Sequence, residues 1–446
     1  MQVGRKRITD RRHFGFTSSR TLKLVPAQSH LLLSPFIHQM FSQRTNWQLS
    51  HNALTRAIGE ERASGQKILD LTISNPTEAG VRPDPEIILA ALANPEAMHY
   101  DPQPRGLLAA REAVCRYYRE SHEVLDLDPE RLILTTSTSE AYSYIFRLLC
   151  DPGDEVLVPK PSYPLFEFLA DLADVKLVPY PLLYDHGWQI DFDSLYKAAN
   201  QRSRAVILVH PNNPTGSYVS AAETAALNAF CRNQALVGNP LALIVDEVFL
   251  DYAHGDSLHE RAPRRSFVTN AGALTFTLSG VSKISALPQM KLAWLATSGP
   301  EAIVTQAGAR LEIIADTYLS LNAPVQLAAS VLLDQRKQVQ PILLDRVRRN
   351  LAELDRQLAA HPSSSSACRR LMVEGGWYVV LRVPVLGSDE ELAIRLLREV
   401  NVSVHPGHFY DFPGDGHLVL SLITEPAEFR EGIARILQVV EAPYRS

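Results

Sequence analysis

Lys283 closes the run Thr275-Phe276-Thr277-Leu278-Ser279-Gly280-Val281-Ser282-Lys283, in which apolar residues suited to a strand give way to small ones that can turn the chain. An amine lifted clear of a sheet at such a turn can capture an aldehyde as an imine. Two other apolar runs end in polar groups of complementary kind. Residues 241–245 stop at Asp246-Glu247, and residues 205–209 stop at His210-Pro211-Asn212-Asn213-Pro214-Thr215-Gly216. An amine, a carboxylate and a carboxamide gathered at strand ends suit a heteroaromatic aldehyde cofactor. They supply an imine partner, a counter-ion for a ring nitrogen and a hydrogen bond to a ring hydroxyl. Ser137-Thr138-Ser139-Glu140 adds an anion site, because Ser137 and Glu140 have capping-box spacing ahead of an apolar helical stretch, and a helix start presents free N–H groups.

Taken in order, Asn213-Pro214-Thr215-Gly216, then Asp246-Glu247-Val248-Phe249, then Ser282-Lys283, the chain resembles the class I and II aminotransferases of fold type I, the aspartate aminotransferase superfamily, from about Leu71 to its end. The resemblance implies an α/β fold, with a mostly parallel seven-stranded sheet in a large domain and a small α/β domain beside it. It implies pyridoxal 5'-phosphate as cofactor, and an amino acid or related amine and a 2-oxo acid as substrates in a ping-pong exchange. By the same likeness Lys283 binds the cofactor and moves the substrate proton, Asp246 faces the ring nitrogen, and Asn213 donates to the ring hydroxyl oxygen, with Asn212 as the alternative. Tyr163 stacks on the ring. Ser137, Thr138, Ser139, Ser282 and Lys291 serve the phosphate, Lys291 standing where the family has an arginine. Tyr100 reaches the phosphate of a neighbouring subunit, which makes the working unit a homodimer.

Two departures bear on activity. Phe249 replaces a tyrosine that donates to the ring hydroxyl oxygen, an interaction of roughly 0.5–1.5 kcal/mol. The substrate-carboxylate arginine belongs in the run Leu418-Val419-Leu420-Ser421-Leu422, and no arginine occurs between Arg398 and Arg430. A guanidinium fork is the natural carboxylate partner. Its absence leaves His417, Asn75 or an arginine from elsewhere to hold that group, or a substrate amine without one. The same departures keep a lyase, decarboxylase or oxidase on this cofactor as the alternative to a transaminase. A transcription regulator on the same scaffold would carry an N-terminal winged helix, for which the leading residues are too few.

The elements that must position these groups follow from periodicity. Between residues 83 and 334, β-branched runs at 131–135, 155–158, 176–178, 205–209, 241–245, 274–278 and 292–296 alternate with helix-like stretches, as a parallel sheet covered on both faces requires. In open α/β sheets ligands bind beyond the carboxyl ends of the strands, where the motifs fall. Residues 341–360 read as a long amphipathic helix. Residues 363–366 form a polar loop, and the segments 377–383, 389–400 and 418–422 suggest the small domain, joined by residues 47–71. The partition is 1–45 as an extension, 46–82 and 335–446 as the small domain, and 83–334 as the large one.

Composition sets the outer bounds. With 446 residues, 46% hydrophobic and 21% charged, the chain has ordinary globular character. A net charge of −5 argues against a general nucleic-acid binder, which needs a basic surface. Cys115, Cys150, Cys231 and Cys368 are far apart and form no metal or disulfide pattern. No apolar run reaches the length of a membrane span, and the location expected is cytoplasmic. The first 39 residues carry seven Lys and Arg against Asp10 alone, a composition that fits a mis-assigned start, a disordered arm or a targeting segment.

Overall fold

The computed structural model describes residues 40–441 apart from 48, 165, 255–265, 320, 361–367 and 386. The leading basic segment and the polar loop 363–366 therefore lie outside the described residues.

Eight strands form the large sheet, in the spatial order Leu132–Thr135, Ala293–Ser298, Thr275–Gly280, Ala242–Asp246, Ser203–Val209, Glu155–Lys160, Lys176–Tyr184 and Trp188–Ile190. All seven strands read from the sequence are present. The eighth, Trp188–Ile190, returns antiparallel along Lys176–Tyr184 after a tight turn with φ +50° at His186 and +155° at Gly187. Three residues are too few to show a period. Ala293–Ser298 also runs against both of its neighbours. Only short helical turns, Val281–Ile284 and Pro288–Met290, join it to the preceding strand, and a parallel return would call for a longer crossover. The sheet is thus mostly parallel, with two reversed strands.

The central strands are apolar on both faces, as a sheet packed between helix layers requires. Ala205, Val206, Ile207, Ile244, Val245, Phe276 and Leu278 are at most 2% exposed, apart from the chain ends of these runs. One face packs on Thr138–Leu149 and Glu301–Tyr318, through Tyr144, Ile145, Phe146 and Leu311. The neighbouring order of Thr275–Gly280, Ala242–Asp246 and Ser203–Val209 brings three motifs to one edge, because Asp246 is in register with Val209 on one side and Leu278 on the other.

A second, antiparallel sheet joins Arg369–Arg370, Tyr378–Arg382, His417–Ser421 and His405–Pro406. Leu69–Asp70 pairs in parallel with Val402–Ser403. Helices Asp389–Val400, Pro426–Glu441 and Ala53–Ala63 share one apolar core with this sheet, through Leu54, Leu396, Leu420, Phe429 and Ile433. Asp389–Val400 carries the full capping box that Ser388 and Glu391 encode. The long helix spans Arg336–Ala360 and begins five residues earlier than its apolar period suggests. Its first turn is held by ion pairs of Arg336 with Glu120 and Asp334 as well as by the buried Val339. Residues 47–71 divide: Trp47 packs edge-on against Phe168, at 5.4 Å, and donates to Asp171, so it lies on the large-sheet side.

Candidate active site

Beyond the carboxyl ends of the three central strands lies a cavity of about 130 Å³. Its lining includes Ser137, Thr138, Ser139, Tyr163, Asn213, Asp246, Phe249, Ser282 and Lys283, together with Tyr142, Phe166, Leu169 and Tyr378. Ser137, Asn213, Asp246 and Lys283 meet there because each ends or follows a strand of the large sheet, whereas Tyr378 comes from the second sheet.

The Lys283 ammonium donates to the carbonyl of Ser74, at 3.1 Å, and stands 4.8 Å from the Trp377 ring centre and 5.5 Å from that of Phe249. Burial lowers its pKa to about 8, against the attraction of Asp246. Burial likewise pushes the Asp246 carboxyl up to about 6, opposed by hydrogen bonds from the Val248 amide, at 3.2 Å, and the Tyr142 hydroxyl, at 3.4 Å, and by the charge of Lys283. Glu247 turns away from the cavity and accepts from Ser266 and from the Phe267 amide, both at 2.6 Å.

Asn213 is buried, and its amide oxygen has no hydrogen-bond partner. Asn212, the other candidate, directs its amide nitrogen to Pro161 O, at 3.1 Å, and Thr215 Oγ1, at 2.9 Å, and is absent from the lining. The turn that presents Asn213 needs Gly216, whose φ is +71° and whose missing Cβ would stand 2.5 Å from Gly375 O. The carbonyl of Gly216 accepts from Gly375 N, at 2.9 Å, tying this turn to the segment before the second sheet.

Ser137 caps helix Thr138–Leu149 by accepting from the Glu140 amide, at 3.1 Å. Glu140 reaches back to Thr136 N, at 2.7 Å, rather than to Ser137 N, so the capping box is displaced by one residue. The helix start faces the cavity with three hydroxyl side chains. Phe249 is buried, edge-on to Trp377 with ring centres 5.2 Å apart.

Four predicted residues lie elsewhere. Lys291 is exposed, in a left-handed turn after Met290, and is not part of the lining, although Ala293 is. Tyr100 is 73% exposed in a separate surface hollow beside Pro324. Asn75 directs its carboxamide oxygen to Thr77 N and Oγ1, at 3.1 and 2.8 Å. His417 stacks on Phe412, at 4.6 Å, with its amide on Asp389, and points away from the cavity lining. A neighbouring carboxylate makes that a poor place for a second one. The position in the Arg-Leu-Ser register is Val419, buried between Val380 and His405.

Sequence reasoning missed Tyr142, Trp377, Tyr378, Ser74 and Tyr252. Tyr142 lies one helical turn beyond Ser139, a spacing that puts both on one face. Trp377 and Tyr378 follow Gly375-Gly376, a pair that signals close backbone approach.

The sequence profile described as aminotransferase class I and II matches residues 41–436. Glutamate-pyruvate aminotransferase AlaA of Haemophilus influenzae is 27% identical over 382 residues, covering 83% of this chain and 90% of its own length. Arginine–pyruvate transaminase AruH of Pseudomonas aeruginosa is 26% identical over 394 residues, covering 87% of this chain and 93% of its own length. Among solved structures, an alanine aminotransferase from Pyrococcus furiosus superposes with a TM-score of 0.78 at 22% identity, covering 90% of this chain and 100% of that one. The chain belongs to the class I and II aminotransferases. It is a pyridoxal-phosphate-dependent transaminase of fold type I.

The cavity fits that cofactor on its own chemistry: a buried amine and carboxylate, a buried carboxamide in the lining, and a helix start rich in hydroxyls.

Proposed function

We propose that the chain moves an amino group from an amino acid or related amine to a 2-oxo acid by a ping-pong route, as a cytoplasmic homodimer. Pyruvate and alanine are the favoured acceptor and product, since relatives named for those compounds match most of the chain. The observation that carries the reading is the meeting of Lys283, Asp246, Asn213 and the helix start of Ser137–Ser139 around one cavity.

Bound pyridoxal phosphate supplies an aldehyde for amines and an electron-withdrawing ring. Lys283 is the covalent partner, and its lowered pKa keeps a usable fraction of neutral amine near pH 7–8, so it can take and return the proton at the substrate Cα. Asp246 holds a proton on the ring nitrogen. Opposite charges about 4 Å apart attract by about 4 kcal/mol at an effective dielectric near 20. Asn213 donates its amide to the ring hydroxyl oxygen, and Tyr163 covers the ring. Ser137, Thr138, Ser139 and Ser282 would hold the phosphate, with Tyr100 contributed across the dimer, while Lys291 stands outside the lining. Phe249 gives no hydrogen bond, so the ring oxygen depends on Asn213. Among the described residues the cavity lining contains no arginine, so the substrate carboxylate is met by neutral donors such as the Tyr378 hydroxyl. The small domain comprises 335–446 and most of 46–82, Trp47 lying on the large-sheet side, and the large one 83–334.

A panel of amino acids and carboxylate-free amines, each mixed with the loaded enzyme without acceptor, tests the reading by absorbance. A productive donor converts the cofactor to its amine form, and pyruvate converts it back. Release of carbon dioxide, ammonia or peroxide without the amine form would reject transamination by this site.

A further inference from the structure

Lys283 sits on a helical turn of four residues, Val281–Ile284. So short a turn leaves its last carbonyls without helical partners. The following amides do not supply them, because Ser285 N and Leu287 N both bond Val281 O, at 3.0 and 3.2 Å. Two side chains do. Tyr252 Oη donates to Lys283 O at 2.6 Å, and Gln340 Nε2 donates to Ile284 O at 3.0 Å.

Both donors are themselves braced. Tyr252 is fully buried and packs edge-on to Trp377 with ring centres 5.0 Å apart, the same indole that faces the Lys283 ammonium. Gln340 gives its other amide hydrogen to Asp251 Oδ2. Asp251 Oδ1 in turn accepts from Tyr117 Oη, at 2.9 Å, and lies 2.8 Å from His122 Nε2. Tyr117 and His122 belong to helix Leu108–His122, in the core beneath the large sheet. Gln340 belongs to Arg336–Ala360, whose Val339, Leu343, Val347, Leu351 and Leu354 pack in the core of the second sheet. The turn that carries the reactive amine is therefore gripped by one residue from the loop after Asp246 and one from the helix that runs into the other core.

We propose that Tyr252 and Gln340 are positioning residues for Lys283, and that Gln340 couples the placement of its amine to the position of the small sheet. Neither touches a reacting atom. Each fixes one of two consecutive carbonyls, so that the lysine backbone cannot rotate when its side chain changes partner. A misplacement of about 1 Å can lower the rate by as much as about 10²-fold. The inference rests on Lys283 being the cofactor-binding amine, which borohydride reduction of the loaded wild-type enzyme followed by peptide mass spectrometry checks separately.

The test uses Tyr252→Phe, which keeps the ring packing and deletes one donor, and Gln340→Met, which keeps length and deletes the other. Gln340→Lys is the rescue, since an ammonium can still donate to both Ile284 O and Asp251. In the loaded full-length enzyme, each deletion is expected to lower kcat roughly tenfold with KM for the donor within about twofold, and Gln340→Lys to recover most of the loss. Hydrogen exchange of the peptide over residues 281–287, measured with and without pyridoxal phosphate, is expected to speed up roughly tenfold or more in both deletions. Unchanged kcat per cofactor-loaded chain in Tyr252→Phe, or a loss in Gln340→Met matched entirely by lost cofactor occupancy with normal exchange at 281–287, would overturn the proposal.

Discussion

Replacing Asp246 by Asn should stabilise the cofactor-free protein, and increasingly so as pH rises. Burial lifts this carboxyl from its ordinary 3.8 to about 6, which penalises the charged form by about 3 kcal/mol at roughly 1.36 kcal/mol per pKa unit. The sign follows from proton counting. Between those two pH values the folded state binds more protons than the unfolded chain, so wild-type stability falls as pH rises from about 4 to about 6 and the whole penalty is present above that window. Integration gives about 2 kcal/mol at pH 5 and about 3 kcal/mol at pH 8. Asparagine does not titrate, so the difference between variant and wild type should grow by about 1 kcal/mol over that interval, whatever constant offset the amide introduces. The hydrogen bond from the Val248 amide survives on the amide oxygen, whereas the attraction to Lys283 is lost; since that amine itself titrates near pH 8, the attraction fades as pH rises toward 8 and the effect acts in the same direction. Urea unfolding of cofactor-free protein at pH 5 and pH 8 reads the quantity directly. A difference that is constant with pH, or shrinks, would refute the claim that Asp246 is held at an energetic cost until a cationic ring faces it. In the loaded enzyme the same substitution should cripple turnover, because an amide cannot hold a ring nitrogen protonated.

Lys283→Ala should remove the borohydride-reducible cofactor adduct and lower kcat by about 10²- to 10⁴-fold or more, the range for a positioned proton-transfer group; a surviving adduct would point to a different amine. Phe249→Tyr places a phenol in the cavity lining, and should shift the pH midpoint of the bound cofactor's absorbance downward by stabilising the ionised ring oxygen. A spectrophotometric titration with an unmoved midpoint would mean that the ring edge of residue 249 faces elsewhere. Gly216→Ala should destabilise by about 2–4 kcal/mol, combining left-handed backbone strain with a Cβ placed 2.5 Å from Gly375 O and Val373 Cγ2. A change below about 0.5 kcal/mol in urea unfolding would show that the Asn213 turn relaxes freely.

Much of the large sheet was legible in the residues themselves. Runs such as Ala205–Val209 and Leu243–Val245 are apolar on both faces only because a strand buried on both sides needs nothing else, and the polar residues that end them mark where the sheet meets its ligand. Lys283, Asp246 and Asn213 could be read together because each identity is tied to a local event, the end of a strand, and adjacent strands bring such ends together. Local pattern could not reveal how a later segment closes over that edge. Ser74, Trp377 and Tyr378 reach Lys283 from far parts of the chain, and although Gly375-Gly376 marks a close backbone approach, nothing local says that Lys283 is what is approached. The reversal of Ala293–Ser298 came from a short link rather than from its composition. Likewise His417 and Lys291 had suitable chemistry in suitable order, yet backbone direction, left-handed at Lys291 and register-bound at His417, turned both from the cavity lining. Residue type sets what a side chain can do. Only the packing of distant elements sets what it faces.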